Sequence, residues 1–410
     1  MRGIKLLSAG LILSGLLVLL FSSCNKAPIG TTPSVTTLSI VSVTTNTAIG
    51  TGFVTSNGNE NISAAGLCYS STNSQPTLLT DLFTNASDAP GVFASNLVNL
   101  YGNTIYYVRA YATNPSGTTY GNIVIFQTLA GWEQQTSGTT NALNGVYFTD
   151  ANNGFAVGVN GTIINTSNAG NTWTAQTSST TTNLNSVYFV NATTGFIVGA
   201  GGTVLTTNNG GTSWTTLTSG TINNLNSVYF TDVNNGYAVG AGGIILTTNN
   251  GGTNWTLQSS GTTNNLNSVY FIGTTGYVVG NGGTILTTSN NGTNWIMQSS
   301  GITLGLNSVY FTSATTGYAA GVGGTILTTS NGGTNWTSQT TNTGNELQSI
   351  NFINSNIGYA VGVGATMLAT NNGGATWTKQ PTGTSNILYG VFLTTQHSYA
   401  VGGGGTILHF

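Results

Sequence analysis

The chain has 410 residues, which is enough for two or three domains of ordinary size. Hydrophobic residues make up 39 % of the sequence, so a buried core can form, but charged residues make up only 3 %, against roughly 25 % in an average soluble protein. A surface with so few charges has almost no long-range field, which argues against nucleic acid and against charged, steered substrates as ligands. Regular aromatic and β-branched segments argue against disorder.

The first residues have the pattern of an export signal. Arg2 and Lys5 precede an apolar run over 6–20, and the small residues of Phe21-Ser22-Ser23-Cys24 follow it. This order resembles bacterial lipoprotein signal peptides. The resemblance implies that 1–23 is a signal peptide, cleaved ahead of Cys24, and that Cys24 is diacylated.

In this interpretation residues 24–33 are a lipidated tether that attaches the protein to a membrane. The predicted location is the bacterial cell envelope, at the outer membrane or the cell surface, and the sequence leaves the periplasmic and external faces both open. A plain transmembrane anchor is the alternative, although the apolar run is shorter than the about 20 residues that a span requires.

Residues 34–129 predict a β-sandwich of short strands. Tyr107, Arg109 and Tyr111 alternate with Val108, Ala110 and Ala112, so one side of this strand should face the core and the other, with Arg109, should face water. Turn residues occupy 114–117. The predicted strands are 35–43, 48–54, 65–69, 91–97, 106–113 and 123–128.

A short segment of this region resembles a known module. Residues 100–106, Leu-Tyr-Gly-Asn-Thr-Ile-Tyr, are similar to the leucine-to-tyrosine corner before strand F of fibronectin type III domains. The resemblance implies a fibronectin type III-like sandwich, which mostly serves as a spacer or a docking module. Cys68 lies in a strand-like segment and is expected to be a small buried side chain.

The C-terminal two-thirds of the chain is repetitive. All seven tryptophans lie there, and a fixed period of about 41 residues separates them, which marks a repeat architecture. These residues are Trp132, Trp173, Trp214, Trp255, Trp295, Trp336 and Trp377. We interpret them as core residues, because a large aromatic side chain buries about 150–250 Å²; a binding stripe of tryptophans, as in a lectin, is the alternative.

Each repeat contains four short strands. In one copy they are 185–189, 195–199, 203–207 and 213–217, separated by turns. Four strands in a period of about 41 residues are typical of a β-propeller blade, and no helical periodicity is present. The first strand recurs seven times, near Val146, Val187, Val228, Val269, Val309, Ile350 and Val391.

The two ends of the repeat region complement each other. The last repeat stops after its third strand, whereas residues 132–137 look like a fourth strand without the preceding three. We therefore expect 132–137 to pair with the segment 387–410 and to close a seven-bladed β-propeller over residues 130–410. Closure would remove open sheet edges that promote aggregation. The predicted fold class is all-β, with a β-sandwich followed by the propeller.

A turn precedes six of the tryptophans and has the pattern Thr-x-Asn-x-Gly-x-x-Trp. It resembles the Asp-box of sialidase-type and sortilin-type propellers, with asparagine in place of the aspartate. The resemblance implies a turn that stabilises a hairpin, which the asparagine carbonyl can also do. A calcium site is the alternative, but neutral amides are weak ligands for calcium. The asparagines are Asn168, Asn209, Asn250, Asn290, Asn331 and Asn372.

Three strand sequences, Asn-Ser-Val-Tyr-Phe at 185–189, Gly-Tyr-Ala-Val-Gly at 236–240 and Gly-Thr-Ile-Leu-Thr-Thr at 283–288, carry a more specific resemblance. They are similar to the photosystem II stability and assembly factor family of seven-bladed propellers, whose repeat also occurs in non-photosynthetic bacteria. That family binds polypeptides while a membrane complex is assembled. Its photosynthetic members carry a basic patch, but Lys379 is the one basic residue after position 129, arginine and lysine counted, so no photosystem client is expected.

The repeat region lacks the residues of an enzyme. Sialidase chemistry requires arginines, and the region has none. The carboxylic acids Glu133, Asp150, Asp232 and Glu346 are too scattered to form a glycosidase pair. Ser398, His397 and Asp150 could lie close enough to act as a nucleophile, a base and an orienting group, but we expect them to be isolated residues in turns. His409 has no partner in view. We predict no enzyme, no cofactor and no metal.

One candidate binding surface remains. The segments between blades and the paired glycine turns should lie on the same face, around the mouth of the channel, and offer amides and exposed backbone. The candidate residues are Asn185, Gly201, Gly202, Asn226, Gly242, Gly243, Asn267, Gly282 and Gly283. The predicted function is a scaffold or assembly factor that binds an envelope protein, and the alternative is a module that binds a neutral glycan or mediates adhesion.

Overall fold

The computed structural model describes residues 30–45, 47–86, 90–100, 102, 104–129 and 131–410. The predicted signal peptide, the predicted lipidation site Cys24 and most of the predicted tether therefore lie outside the described residues. Two compact units account for the described chain, one formed by segments that end at Gln127 and the other mainly by Thr128–Phe410. Within the described part of the chain, no helix has both the length and the apolar character to span a bilayer.

The N-terminal unit consists of two antiparallel sheets. One sheet has the strand order β1-β2-β5 and the other β4-β3-β6-β7. Its strands are β1 Ser34–Val41, β2 Ala48–Ser56, β3 Ala64–Ser70, β4 Leu82–Phe83, β5 Gly91–Leu97, β6 Ile105–Asn114 and β7 Gly117–Gln127. The sequence analysis missed β4, which is an exposed strand of only two residues, and the first half of β7, where polar residues hide the alternation of a half-buried strand.

The core of this unit lies between its two sheets. Val108, Ala110 and Ala112 are buried, as the alternating pattern predicts, but Tyr111, predicted on the other side of the strand, is buried as well, because its ring packs edge-on against the phenylalanine of β4. Cys68 is fully buried, which confirms that prediction, and desolvation raises the pKa of its thiol to about 12.

The prediction of a solvated Arg109 is only partly right. Its side chain is half-buried, its Nε donates a hydrogen bond to the carbonyl of Gly121 at 3.0 Å, and its guanidinium lies 4.9 Å from the centre of the Tyr120 ring. Packing of the guanidinium against a neighbouring aromatic ring explains why strand parity alone misplaced it.

The C-terminal unit contains seven four-stranded antiparallel sheets within residues 133–410, all of which are described. We number the sheets 1–7 in the order of their first strands. The first strands are β9 Leu143–Phe148, β13 Leu184–Phe189, β17 Leu225–Phe230, β21 Leu266–Ile272, β25 Leu306–Phe311, β29 Leu347–Phe352 and β33 Leu388–Leu393. The second strands are β10 Gly154–Gly158, β14 Gly195–Gly199, β18 Gly236–Gly240, β22 Thr275–Gly280, β26 Gly317–Gly321, β30 Gly358–Gly362 and β34 Ser398–Gly402.

The outer two strands of each sheet are shorter. The third strands are β11 Ile163–Thr166, β15 Val204–Thr207, β19 Ile245–Thr248, β23 Ile285–Thr288, β27 Ile326–Thr329, β31 Met367–Thr370 and β35 Ile407–His409. The fourth strands are β8 Glu133–Gln135, β12 Thr174–Gln176, β16 Thr215–Leu217, β20 Thr256–Gln258, β24 Ile296–Gln298, β28 Thr337–Gln339 and β32 Thr378–Lys379. Single 3₁₀ turns join second to third strands at Val159–Gly161, Ala200–Gly202, Ala241–Gly243, Asn281–Gly283, Val322–Gly324 and Gly403–Gly405.

Burial explains why these segments form strands in this order. Second strands such as β14 are buried at every residue and read as continuous apolar runs, whereas fourth strands such as β16 are mostly exposed. A glycine begins most second strands because the first strand fills the space beside it. A Cβ added at Gly236 would lie 2.4 Å from the ring of Phe230.

The first strands form a closed series of contacts. Each first strand packs against that of the next sheet, and β33 packs against β9. Sheet 7 contains β33, β34, β35 and β8, since β8 pairs with β35 through Glu133 with His409, Gln134 with Leu408 and Gln135 with Ile407. This cyclic arrangement of four-stranded sheets is that of a β-propeller.

Each tryptophan lies immediately before a fourth strand, whereas the sequence analysis placed it within that strand. Five of them are buried, and Trp255 and Trp295 are half-buried. Six pack edge-on against the phenylalanine of the first strand in the same sheet; for Trp214 and Phe189 the ring centres are 6.0 Å apart at an angle of 82°. The tryptophans are therefore part of the hydrophobic core.

The turn before each tryptophan is stabilised by its own side chains. In sheet 2, Asn209 Oδ1 accepts a hydrogen bond from the backbone N–H of Ser213 at 3.0 Å, and Thr207 Oγ1 accepts one from the N–H of Gly211 at 2.9 Å. The predicted role of the asparagine is confirmed, and the threonine contributes equally.

Two of the indole N–H groups have a partner from the preceding sheet. Trp377 Nε1 donates to Gln339 Oε1 at 2.8 Å, whereas the N–H of Trp336 has no partner among the described residues because Gln298 donates to Thr287 instead.

We expect Gln339→Leu to lower the free energy of unfolding by about 1–3 kcal/mol, since it leaves a buried donor unpaired. Urea denaturation would measure this.

The matched control is Gln298→Leu, which removes the same side chain at the equivalent position of another sheet. This substitution should lower the free energy of unfolding by less than about 1 kcal/mol, because the N–H of Trp336 already has no partner before the substitution. Equal losses in the two variants would contradict the role assigned to Gln339.

Candidate binding face

The two ends of the propeller differ in how they are built. One end, which we call the loop face, carries the segments between sheets and the 3₁₀ turns between second and third strands. The other end, the turn face, carries the turns between first and second strands and the turns that precede the tryptophans. Hydrogen bonds join the elements of each face, for example Ala241 N–H to the carbonyl of Asn224 on the loop face and Gly210 N–H to the carbonyl of Thr193 on the turn face.

Side-chain amides link neighbouring sheets at the loop face. Asn224 Oδ1, in the segment that leads into sheet 3, accepts a hydrogen bond from the N–H of Gly201 in sheet 2 at 3.0 Å. Asn183 and Asn265 make the equivalent bonds to Asn160 and Gly242. These amides therefore hold the 3₁₀ turns in place.

The predicted asparagines also bridge sheets. The Nδ2 atoms of Asn185, Asn226 and Asn267 donate to the carbonyls of Leu225, Leu266 and Leu306, each in the next sheet, at 2.8–2.9 Å. All three side chains are half-buried at the inner strands. The structure thus brings these asparagines to the loop face, but a ligand would find their donor atoms already occupied.

The paired glycines separate into two kinds. Gly201, Gly242 and Gly282 are exposed on the loop face, as predicted. Gly202, Gly243 and Gly283 are buried, so their predicted exposure is wrong. The reason is a close backbone approach: a Cβ at Gly202 would lie 2.0 Å from the carbonyl oxygen of Thr221, and one at Gly243 would lie 1.9 Å from that of Thr262.

Shallow hollows recur around the loop face. In sheet 2 a hollow of about 670 Å³ lies between the Gly201–Gly202 turn and the segment 216–222, and sheets 3 and 4 have similar hollows of about 630 and 690 Å³. Hydroxyl groups, glycine backbone and a few aliphatic side chains line them. Such hollows can accept short neutral groups and offer backbone hydrogen bonds.

Sequence reasoning missed two apolar residues on this face. Ile222 is 89 % exposed and Leu304 is 45 % exposed. Aligning the repeats would have found them, because Ile222 stands where the other sheets have threonine, serine or glycine, and Leu304 where they have asparagine or threonine. Single exposed aliphatic side chains are common on protein surfaces, and here each adds apolar area to one of the hollows.

Aromatic side chains surround the axis of the propeller, which the sequence analysis also missed. Tyr147, Tyr188, Tyr229, Tyr270 and Tyr310 contact one another in succession, with ring centres 4.8–5.4 Å apart, and Phe392 extends the series at 4.9 Å from Tyr147. Several hydroxyls donate to the next sheet, as from Tyr147 to the carbonyl of Phe189 at 2.8 Å. Burial raises the pKa of Tyr147 to about 12, so this series is neutral and packed.

The carboxylates serve local structure. Asp232 Oδ1 accepts hydrogen bonds from the backbone of Asn234 and Asn235 on the turn face, and Asp150 does the same in sheet 1. The Asn235 side chain and then the Asn234 backbone lower the pKa of Asp232. On the loop face, Glu346 Oε1 accepts a hydrogen bond from Asn307 Nδ2 at 2.9 Å.

The histidines pair with each other. His397 Nδ1 lies 2.9 Å from His409 Nε2. Ser398 is buried, and its N–H donates a hydrogen bond to the carbonyl of Phe410. The expectation that His409 has no partner is therefore wrong, because the end of β35 lies beside the turn that contains His397.

Asp150 accepts hydrogen bonds within its own turn. Among the described residues, no cluster of three or more histidine, cysteine, aspartate or glutamate side chains could hold a metal ion.

The fold and the repeat define a β-propeller. The chain belongs to the family described as photosynthesis system II assembly factor YCF48, whose model matches residues 125–222, 216–304 and 297–384.

Solved structures support the same fold. A structure titled "YCF48 bound to D1 peptide" is 21 % identical, with a TM-score of 0.60, over 68 % of this chain and 94 % of that one. YCF48 from Cyanidioschyzon merolae is 20 % identical, with a TM-score of 0.59, over 68 % and 98 %. The WD40 β-propeller domain of Doa1 is 13 % identical, with a TM-score of 0.56, over 68 % and 97 %. No curated protein gives a significant match.

The distinction between exposed and buried glycines can be measured. We expect Gly243→Ala to destabilise the propeller by more than about 3 kcal/mol, because the new methyl group would meet the Thr262 carbonyl at 1.9 Å in addition to the strain of a positive φ of 75°. The control is Gly261→Ala, where φ is 70° and no atom lies within 4 Å, and where about 1–2 kcal/mol is expected. Similar losses in denaturant unfolding would show that the close approach is absent.

Proposed function

We propose that the protein is a non-catalytic scaffold or assembly factor, a seven-bladed propeller that binds a polypeptide segment of a cell-envelope protein on its loop face. The observation that carries this proposal is membership in the YCF48 family, since a relative with the same fold has been solved with the D1 peptide bound. The seven four-stranded sheets and the pairing of β8 with β35 support the count of blades and their closure.

The chemistry of the loop face supports a polypeptide partner. Gly201 and Gly242 are exposed and have no side chain, so a partner can approach their main chain closely, and Ile222 and Leu304 offer apolar contacts. Charged groups are almost absent, so affinity would come from main-chain hydrogen bonds and apolar burial and would change little with salt. The partner should therefore present a neutral, extended or looped segment.

A neutral glycan is the alternative ligand. Sugar sites commonly stack rings on exposed aromatic side chains, whereas the large exposed hydrophobic side chains that line the described hollows are aliphatic or methionine: Ile222, Leu257, Met297 and Leu304. This observation favours a protein partner over a glycan. Saturable binding on a glycan array, together with no protein recovered by crosslinking in cells, would reverse the ranking.

A pair of variants at the two ends of β17 tests which face binds. We expect Ile222→Glu, on the loop face, to weaken capture of the crosslinked partner at least about tenfold, because it places a charge where apolar area is buried. Val233→Glu is the matched control, since Val233 is 48 % exposed on the turn face of the same sheet. Both variants should fold, as shown by circular dichroism. Loss of capture with Val233→Glu alone would assign binding to the turn face.

We also propose that the protein is a lipoprotein anchored in the bacterial envelope through Cys24. The support is the signal-like order of residues 1–24. Metabolic labelling with a palmitate analogue should mark the wild-type chain in the membrane fraction, and Cys24→Ser should abolish the label and release the protein. A labelled Cys24→Ser variant would contradict this site, and protease shaving of cells would distinguish the periplasmic from the external face.

The N-terminal unit is proposed to be a fibronectin type III-like spacer or docking module between the tether and the propeller. Its two sheets, of three and four strands in the orders β1-β2-β5 and β4-β3-β6-β7, support that topology. A spacer would lengthen the connection between the tether and the propeller.

A further inference from the structure

The two histidines of the chain form one cluster. His397 lies in the turn between β33 and β34, and His409 ends β35, with His397 Nδ1 2.9 Å from His409 Nε2. Both side chains are half-buried. The ring of His409 stacks on Tyr399 with centres 4.9 Å apart, and Tyr399 stacks on Phe148 of sheet 1 at 3.8 Å. The pair therefore sits on the side of sheet 7 that packs against sheet 1.

This cluster lies in the one sheet whose third and fourth strands are not joined in sequence. In sheets 1–6 a turn with bonds from its own threonine and asparagine connects these strands, as in Thr207 and Asn209. In sheet 7, β35 and β8 come from opposite ends of the unit and share three residue pairs. The end of β35 is held by the two backbone bonds between Ser398 and Phe410 and by the histidine contact.

The equivalent positions in other sheets carry a different residue. His409 is in register with Tyr399 as Thr206 is with Phe196 in sheet 2 and Thr328 is with Tyr318 in sheet 5. The positions that correspond to His397 are Thr194 and Thr316. Thr206 and Thr328 donate to the carbonyls of Gly195 and Gly317, both at 3.2 Å. Sheet 7 thus has two imidazoles where these sheets have two threonines.

An imidazole–imidazole hydrogen bond depends on protonation. One ring nitrogen must donate and the other must accept, so at least one ring has to be neutral at the contact. Full protonation would place two cations 2.9 Å apart and remove the acceptor. Burial and the neighbouring His397 both lower the pKa of His409.

The other ionisable groups around the pair do not offset this repulsion. Glu133 on β8 is in register with His409 but is exposed, so solvent screens it. Tyr399 on β34 is neutral, since burial raises its pKa to about 12. Asp150, in the turn of sheet 1, is bonded to Asn152 and Asn153.

We propose that His397 and His409 form an acid-sensitive latch across the sheet that closes the propeller. At neutral pH one ring donates its N–H to the nitrogen of the other, and this hydrogen bond holds the end of β35 in place. When both rings are protonated, their repulsion loosens β35 and, with it, the three-residue ladder to β8. Opening of the propeller would then begin at this sheet.

The direction of the pH dependence follows from linkage. The pKa of His409 is lower in the folded protein than the value of 6.5 usual for histidine, so the unfolded chain binds more protons in this range. The stabilisation is complete above about pH 6.5 and is lost progressively as the pH falls below that value.

The test uses the full-length chain and a double variant, His397→Thr with His409→Thr, for which sheets 2 and 5 provide natural templates. Between about pH 7.5 and pH 5, the thermal midpoint of the wild type should fall by on the order of 2–4 °C more than that of the variant. The variant has no histidine, whereas all carboxylates are the same, so the difference reports the imidazoles alone. Parallel curves for the two proteins would overturn the proposal.

A second measurement does not depend on whether the variant folds. In the wild type, NMR titration of the two imidazoles in the presence of a chelator should show coupled behaviour, with one ring protonated below about pH 6.5. Amide protection of Ser398 and Phe410, corrected for intrinsic exchange, should fall over the same range. Two independent titrations near pH 6.5 with unchanged protection would refute the latch.

Discussion

The pairing of β8 with β35 is the constraint on which the rest of the propeller depends. Six sheets are continuous in sequence, but sheet 7 is complete only when Glu133–Gln135 joins Ile407–His409. Trp132, which precedes β8, packs in a buried cluster with Val361 and Leu408, so closure also completes a hydrophobic core. A chain with 3 % charged residues has few means of protecting an open edge other than covering it with a strand.

The repeat made most of this fold predictable. The regular spacing of the tryptophans and the four apolar segments in each period fix the number and order of strands, because each strand type has its own burial pattern. Strand ends were less accurate: Trp214 precedes β16 instead of lying within it. In the N-terminal unit, where no repeat exists, β4 was missed, since a two-residue exposed strand leaves no pattern in the sequence.

The candidate face was less predictable because neighbours in sequence have different surroundings. Gly201 and Gly202 are the same residue type, yet one is exposed and the other lies under the carbonyl of Thr221, which belongs to the segment after β16. The contact of His397 with His409 has the same origin, since it joins a turn to the end of a strand. Ile222 and Leu304, by contrast, depart from the repeat and could be found by comparing its copies.

The position of β8 also determines which part of the propeller is loaded first under mechanical force. Any tension transmitted along the chain from the N-terminal unit enters the propeller at Trp132 and reaches the three-residue ladder of β8 before any other sheet. The other six sheets are loaded only after this ladder separates, because their four strands are continuous. Under load, therefore, the ladder that closes the propeller is the first one to be pulled.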